Sequence, residues 1–168
     1  MSFRDRLVYD PARGEYRDGD IRYMMIRPDA LMGIVLELPQ AMRGEMLGAF
    51  ARSITRHGAK SAATYREAGS VAPAQLIAVI AATAPELGWG SWDLRLGEDR
   101  LDLTVRNSPF AAGHGPASSP VCHPIVGMLS AIGPMALGRP VCARETACAA
   151  MGSAACRFEV TVLPEDLV

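Results

Sequence analysis

An α+β fold is predicted, with helices packed against an antiparallel sheet, and three observations carry the prediction. Apolar residues recur at helical spacing through the first half of the chain. From Trp92 onward the period changes to two. One long apolar helix, from Ser119-Pro120 to about Leu137, then interrupts the strands.

The elements follow in order. The first seven residues and the last five read as tails, and Tyr9 to Asp20, with Pro11, Gly14 and Gly19, reads as turns. Asp10 and Asp20 suit turn formation better than catalysis. Ile21 to Arg27 is strand-like, and Pro28-Asp29 opens a helix over Ala30 to Leu38. Residues 41–57 place Met42, Met46, Leu47, Phe50 and Ile54 on one side of a helix, with Arg43, Glu45, Arg52 and Arg56 on the other. Gly58 is the expected stop, and residues 60–68 are expected to form a separate short helix. Pro73 starts another helix, with Leu76, Ile77, Ile80, Ala84 and Leu87 on one face. Trp92, Leu94 and Leu96, then Leu101, Leu103 and Val105, alternate with polar residues around the turn Gly97-Glu98-Asp99, which is the pattern of a hairpin with one buried face. Residues 109–119 read as a loop, and Gly133-Pro134 is expected to kink the long helix. Val141 to Glu145 and Phe158 to Val162 complete the strands.

Composition bounds the function. The chain has 168 residues, 49% hydrophobic and 21% charged, with a net charge of −1. That predicts a single domain over 1–168, with its core at about 14–163, and excludes general disorder. The longest apolar run, Leu76 to Ala84, is half of the roughly 18 residues a membrane helix needs. The N-terminus lacks the apolar core of a signal peptide, so a soluble, cytoplasmic protein is expected. Its 17 basic and 18 acidic residues are interspersed, and no basic stripe points to direct nucleic-acid binding.

The cysteines are the chemically informative residues. Cys122, Cys142, Cys148 and Cys156 all lie in the last third. Cys122 stands at the start of the long helix, where the helix N-terminus favours a thiolate. Glu145 and Cys148 flank the end of one strand, and Cys156 begins the next, so a turn can bring them to Cys122. Three thiolates and a carboxylate make a closed set that suits Zn²⁺ in a structural rather than hydrolytic role. Buried free thiols are the competing reading of the same spacing, and a disulfide is a third. Cys142 reads as a packed strand thiol on the face opposite Val141, with substitution as a ligand the alternative.

Other residues point less sharply. His57 reads as a helix-end partner of the dipole, His114 as a loop residue between glycines, and His123 as a neighbour of a ligand. No nucleophile stands beside a recognisable base, and no G-x-G-x-x-G or phosphate loop supplies a nucleotide site. Met24, Met25, Met32, Met46, Met128 and Met135 lie on apolar segments, where methionine fills core gaps or lines an adaptable pocket. Trp89 and Trp92 are placed to shape the mouth of such a pocket or to pack in the core.

The segment Gly127-x-Leu129, Gly138-Arg139-Pro140-Val141, Glu145-Thr146-Ala147-Cys148, Gly152 and Cys156-Arg157-Phe158 resembles the 4-vinyl-reductase domain superfamily. That superfamily includes the sensory domains of phenol- and toluene-responsive transcription activators, a bacteriochlorophyll-biosynthesis protein and hydrocarbon-binding proteins. The resemblance implies a TRAPP-like fold and a zinc ion on Cys122, Glu145, Cys148 and Cys156. It also implies a pocket for a small apolar or aromatic ligand near Val105, Phe110, Val126 and Leu129. It further implies a homodimer, and any signal is expected to pass through a partner chain. The phenol sensors carry a Trp two residues before an Asn-Ser pair; here Asn107-Ser108 is present and the matching residue is Val105. Their partner histidine has no match, since 73–87 contains none. A non-catalytic sensor or carrier is the leading expectation. An enzyme or accessory protein of tetrapyrrole 4-vinyl reduction is the alternative that the superfamily name implies.

Overall fold

The structure, a computed structural model, describes residues 2–67 and 72–164. Its elements are α1 (Phe3–Arg6), β1 (Val8–Asp10), β2 (Glu15–Asp18), β3 (Ile21–Tyr23), α2 (Pro28–Leu36), α3 (Gln40–Glu67), α4 (Pro73–Glu86), β4 (Ser91–Leu96), β5 (Arg100–Arg106), α5 (Pro109–His114), α6 (His123–Leu137), β6 (Val141–Ala147) and β7 (Cys156–Val162). A 3₁₀ turn, Ala149–Met151, joins the last two strands. The α+β class holds, with antiparallel pairing in sheets ordered β1-β2-β3 and β4-β5-β7-β6. None of the described helices is long and apolar enough to cross a membrane.

The alternation in the second half sets the larger sheet. Leu103 lies opposite both Leu94 and Phe158, and Val105 lies opposite both Trp92 and Cys156. These residues face the core, while Asp93, Arg95 and Arg157 between them are exposed. Across this face lies α6, which buries Ile125, Leu129, Ile132 and Ala136 at helical spacing. Two glycines let it approach closely. A Cβ on Gly133 would stand 2.7 Å from Val141 Cγ2, and one on Gly127 would stand 2.3 Å from the Ala51 carbonyl oxygen of α3. Thr55 spans the same crossing, its hydroxyl donating to the Gly127 carbonyl at 3.0 Å.

Several expectations are corrected here. The N-terminus is not a tail. Ser2 and Asp5 form a reciprocal cap on α1, and Phe3 is buried edge-on to Tyr23 at 5.1 Å. The expected turns over Tyr9 to Asp20 contain β1 and β2. Their polar residues on both faces hid the strand period, and the buried Glu15 is ion-paired to Arg13 at 2.9 Å and Arg17 at 3.0 Å. Gly58 does not end a helix: the expected helices over 41–57 and 60–68 are one element, α3, which packs on Met128 of α6 at Gly58. Residue 68 lies outside the described residues. His57 is therefore inside α3 and exposed, rather than at a helix end. The expected loop over 109–119 contains α5, opened by Ser108 and Pro109. The long helix begins at His123, later than expected, and runs through Gly133-Pro134 to a left-handed cap at Gly138.

The α3–α6 crossing predicts a contrast between two glycines. Gly127→Ala forces the helices apart and is expected to cost about 1–3 kcal/mol, in the range for overpacking. Gly44→Ala, in the same α3 with open space around it, is expected to be neutral or to stabilise by up to about 1 kcal/mol. Thermal melts of the two variants check this; equal melting temperatures would contradict the packing argument.

Candidate metal centre and adjoining cavities

The side chains of Cys122, Glu145, Cys148 and Cys156 converge at the start of α6. One ligand atom from each lies within 4.8 Å of all the others. Local structure explains how the chain achieves this. Cys122 is the N-cap of α6 and fully buried. Glu145 points to the core face of β6, opposite Phe158. On a regular strand Cys148, three residues on, would point away from that face. The pairing shifts between Glu145 and Ala147, so that Ala147 lies opposite the outward-facing Arg157. The extra residue reverses the alternation and brings Cys148 inward beside Cys156.

Hydrogen bonds hold the four in place. The Cys122 N–H donates to Glu145 Oε2 at 2.9 Å. The other carboxylate oxygen, Oε1, is buried with no partner among the described residues. The Ala149 N–H donates to Cys156 Sγ at 3.3 Å, and Cys122 Sγ lies 3.5 Å from Cys156 Sγ. Sulfurs at ~2.3 Å from a tetrahedral metal would be about 3.8 Å apart, so the thiols are already nearly spaced for one. An orphaned carboxylate oxygen beside three buried thiols fits a divalent metal: the ion would take the atom that nothing else satisfies.

Without a metal, the cluster distributes protons unevenly. Hydrogen bonds from Cys122 and Cys156 hold the Cys148 thiol far below its ordinary range. The bonds to Cys148 and Cys156, then burial, push Cys122 far above its own. For Cys156 the bond from Cys122 lowers the value, but Cys148 and burial outweigh it and push it up to about 11. Burial, then the neighbouring Cys148, pushes Glu145 up to about 8. Burial also lowers His123, whose Nδ1 has no partner among the described residues.

Cys142 stands apart. It lies on the opposite face from Val141, as expected, but is exposed and free rather than packed, and it is not among the four.

Two cavities border α5, and one of them reaches the centre. One, of about 620 Å³, is an open cleft lined by Arg43, His114, Ser118, His123 and Glu145 among others, so the buried cluster borders a path from solvent. The other, of about 600 Å³, lies on the far side of α5. Its walls are mostly apolar and include Leu31, Ile54, Ile80, Trp89, Phe110 and Met128, with Met24 and Met25 at the exposed edge. Trp89 and Phe110 meet edge to face at 5.1 Å.

Of Val105, Phe110, Val126 and Leu129, only Phe110 lines this one. Val105 and Leu129 are completely buried in the core between the sheet and α6, and Val126 faces the open cleft. The cavity therefore sits closer to the N-terminal elements than expected. Val105 is fully enclosed by the core, where β5 lies between β4 and β7, and meets no space. Trp92 is a core strand residue whose Nε1–H donates to the Trp89 carbonyl at 3.0 Å. Met24, Met25, Met128 and Trp89 line the cavity, in keeping with the pocket-lining reading of the methionines and of Trp89. Tyr16 of β2 and Tyr23 of β3 also line it and carry no sequence signal of their own.

Fold and site together define a class: an α+β domain with a buried three-cysteine, one-carboxylate centre and a separate apolar cavity. Residues 101–162 match the family model of the V4R domain, the segment that holds all four clustered residues. The chain is similar along 97% of its length to the phenol-responsive sensory domain of the transcription activator PoxR, solved with phenol, at 20% identity, a TM-score of 0.79 and 89% coverage of that chain. It is also similar to trafficking protein particle complex subunit 3 from Naegleria fowleri, solved covalently bound to palmitic acid (TM-score 0.54, 9% identity, 82% of this chain and 95% of that one). A vinyl-4-reductase family protein from Methanocaldococcus jannaschii aligns with a TM-score of 0.50 and 13% identity over 82% of this chain and 91% of that one. At these identities the likeness is one of fold. No curated protein matches the sequence.

The proton inventory predicts a pH dependence. A metal binding all four groups must expel the protons on Cys122, Cys156 and Glu145. Metal affinity is therefore expected to fall as pH drops through about 8, where Glu145 takes up its proton. The metal-free protein should behave oppositely. Its Glu145 titrates above the ordinary value of 4.5, so the stability the proton confers is fully present below that value and is lost as pH rises towards about 8. Competition titrations with a chelator, and melts of metal-free protein across that range, check both signs.

Proposed function

We propose that this domain binds a small apolar or aromatic molecule in the Phe110 cavity, as a sensor or carrier without chemistry of its own, and is stabilised by a structural zinc ion. The observation that carries the reading is the pairing of a closed four-ligand centre with a separate apolar cavity, whose wall includes α5, the helix capped beside Cys122. Four protein ligands leave no open position for water or substrate, whereas catalytic zinc keeps one. Zinc, when bound, supplies a cross-link between α6 and the last two strands. Its identity is supported by the donor set, since thiolates with one carboxylate suit Zn²⁺ better than the hard cations.

The cavity fits the ligand class because its polar groups are few and sit towards the edge, where Arg4 and Glu86 lie. Likeness to the PoxR sensory domain supports sensing, and likeness to the subunit bound to palmitic acid supports apolar cargo. The reading extends to a homodimer signalling through a partner chain. The exposed apolar side chains of Val8, Tyr9, Ile21, Met24 and Met25 support this. Free thiols, with no disulfide among them, suit a cytoplasmic location.

Two measurements test the proposal. Elemental analysis of protein purified without chelator is expected to give one zinc per chain, lost in Cys148→Ala and kept in Cys142→Ala. Fluorescence titration with the apolar probe 1-aminoanthracene is expected to show saturable binding, weakened at least tenfold by Thr83→Trp, which fills the cavity from α4. Full metal loading of Cys148→Ala, or probe binding indifferent to Thr83→Trp, would overturn the respective half.

A further inference from the structure

Ser108 is one of the few buried polar side chains, and it belongs to neither the metal ligands nor the cavity wall. It touches both systems. Its hydroxyl lies 3.2 Å from Cys122 Sγ. The same oxygen accepts the Ala111 N–H at 3.4 Å and so caps α5. The second residue of α5 is Phe110, the aromatic side chain that meets Trp89 in the cavity wall.

The corner that holds Ser108 has little freedom. Asn107 before it adopts a left-handed backbone, φ 56°, a conformation asparagine tolerates better than most residues. Across from it Gly90 approaches so closely that a Cβ would stand 2.6 Å from the Arg106 carbonyl oxygen and 2.9 Å from that of Asn107. Gly90 directly follows Trp89. At its other end α5 packs on the start of α2, where a Cβ on Gly113 would stand 2.3 Å from the Pro28 carbonyl oxygen. Pro28 itself lines the cavity. A shift of Phe110 or Trp89 therefore reaches Ser108 through rigid backbone rather than through a flexible loop.

When Cys122 is a thiolate it has no proton to give, so the Ser108 O–H must be the donor. The result is a directed chain: Ala111 N–H to Ser108 Oγ, Ser108 O–H to Cys122 Sγ. Hydrogen bonds in such a chain polarise one another, and a donor to a ligating thiolate tunes how firmly it holds a metal. We propose that Ser108 is a positioning residue that couples the apolar cavity to the metal centre, so that filling the cavity tightens metal binding, and metal binding tightens the hold on the cavity's occupant by the same factor. The reciprocity is required by thermodynamic linkage. The inference rests on the cavity and zinc readings above and adds the residue that joins them.

The experiment measures zinc affinity of the full chain by competition with a chelator, with and without saturating 1-aminoanthracene. The probe is expected to raise zinc affinity three- to tenfold in the wild type, and zinc to raise probe affinity equally. Ser108→Ala should still bind both, with a coupling ratio near one. Ser108→Gly repeats the test with a residue better tolerated at helix caps. Ser108→Thr keeps the hydroxyl and should restore the coupling. A second readout is the thiolate-to-metal charge-transfer band of the cobalt-loaded protein, which should shift on probe addition in the wild type and in Ser108→Thr but not in Ser108→Ala. Binding of both partners with a wild-type ratio of one overturns the coupling alone, as does undiminished coupling in Ser108→Ala. Failure of the probe to bind at all overturns the cavity reading, and the coupling with it. If neither hydroxyl-free variant folds, an unchanged wild-type cobalt band overturns the proposal.

Discussion

The architecture depends on one tie between distant parts of the chain: the Glu145 carboxylate of β6 accepting the N–H of Cys122 at the start of α6. A helix start leaves backbone N–H groups without partners, and a buried one must find an acceptor. Here the acceptor comes from a strand 23 residues later. The second oxygen of the same carboxylate is left for the thiol cluster. One side chain thus completes the helix and helps to build the centre. Removing it would leave a buried donor unpaired and the cluster short of a ligand.

The rest of the core is arranged around α6. It lies between α3 and the β4-β5-β7-β6 sheet, and Gly127 and Gly133 permit close approach on its two sides. Val105 and Leu129 are fully enclosed by this core. The apolar cavity opens where the N-terminal elements lean on α4 and α5, at the edge of this sandwich. Aromatic and aliphatic side chains line it together with flexible methionines, so its shape can adapt to an occupant.

Charged groups contribute less to this framework. The pairs Arg95–Asp93 and Arg100–Asp102 lie two residues apart on the exposed face of their strands, at 2.8 and 2.6 Å. Exposed pairs of this kind are worth roughly 0–1 kcal/mol each. Their role is to keep the outer face of the sheet wetted, and the burden of stability falls on the core and the cluster. Glu15, gathered by arginines, is the buried exception in the N-terminal sheet.

The sequence alone determined the elements with strong periodicity. Trp92 to Val105 could be read as a hairpin because the hydrophobic period of two is unbroken, and α4 and α6 because theirs is helical. It also singled out all four clustered residues, since their types and positions at element ends already restrict what they can do. Short elements such as β1, β2 and α5 were hidden, because their stability comes from tertiary contacts rather than local pattern. At Gly58 the packing on Met128 overrides a local stop signal. Only the tertiary structure decided where the cavity lies, because empty space depends on how closely elements pack, and a sequence records no distances between them. It alone also placed Ser108 against both Cys122 and α5, a contact across 14 residues that no periodicity marks.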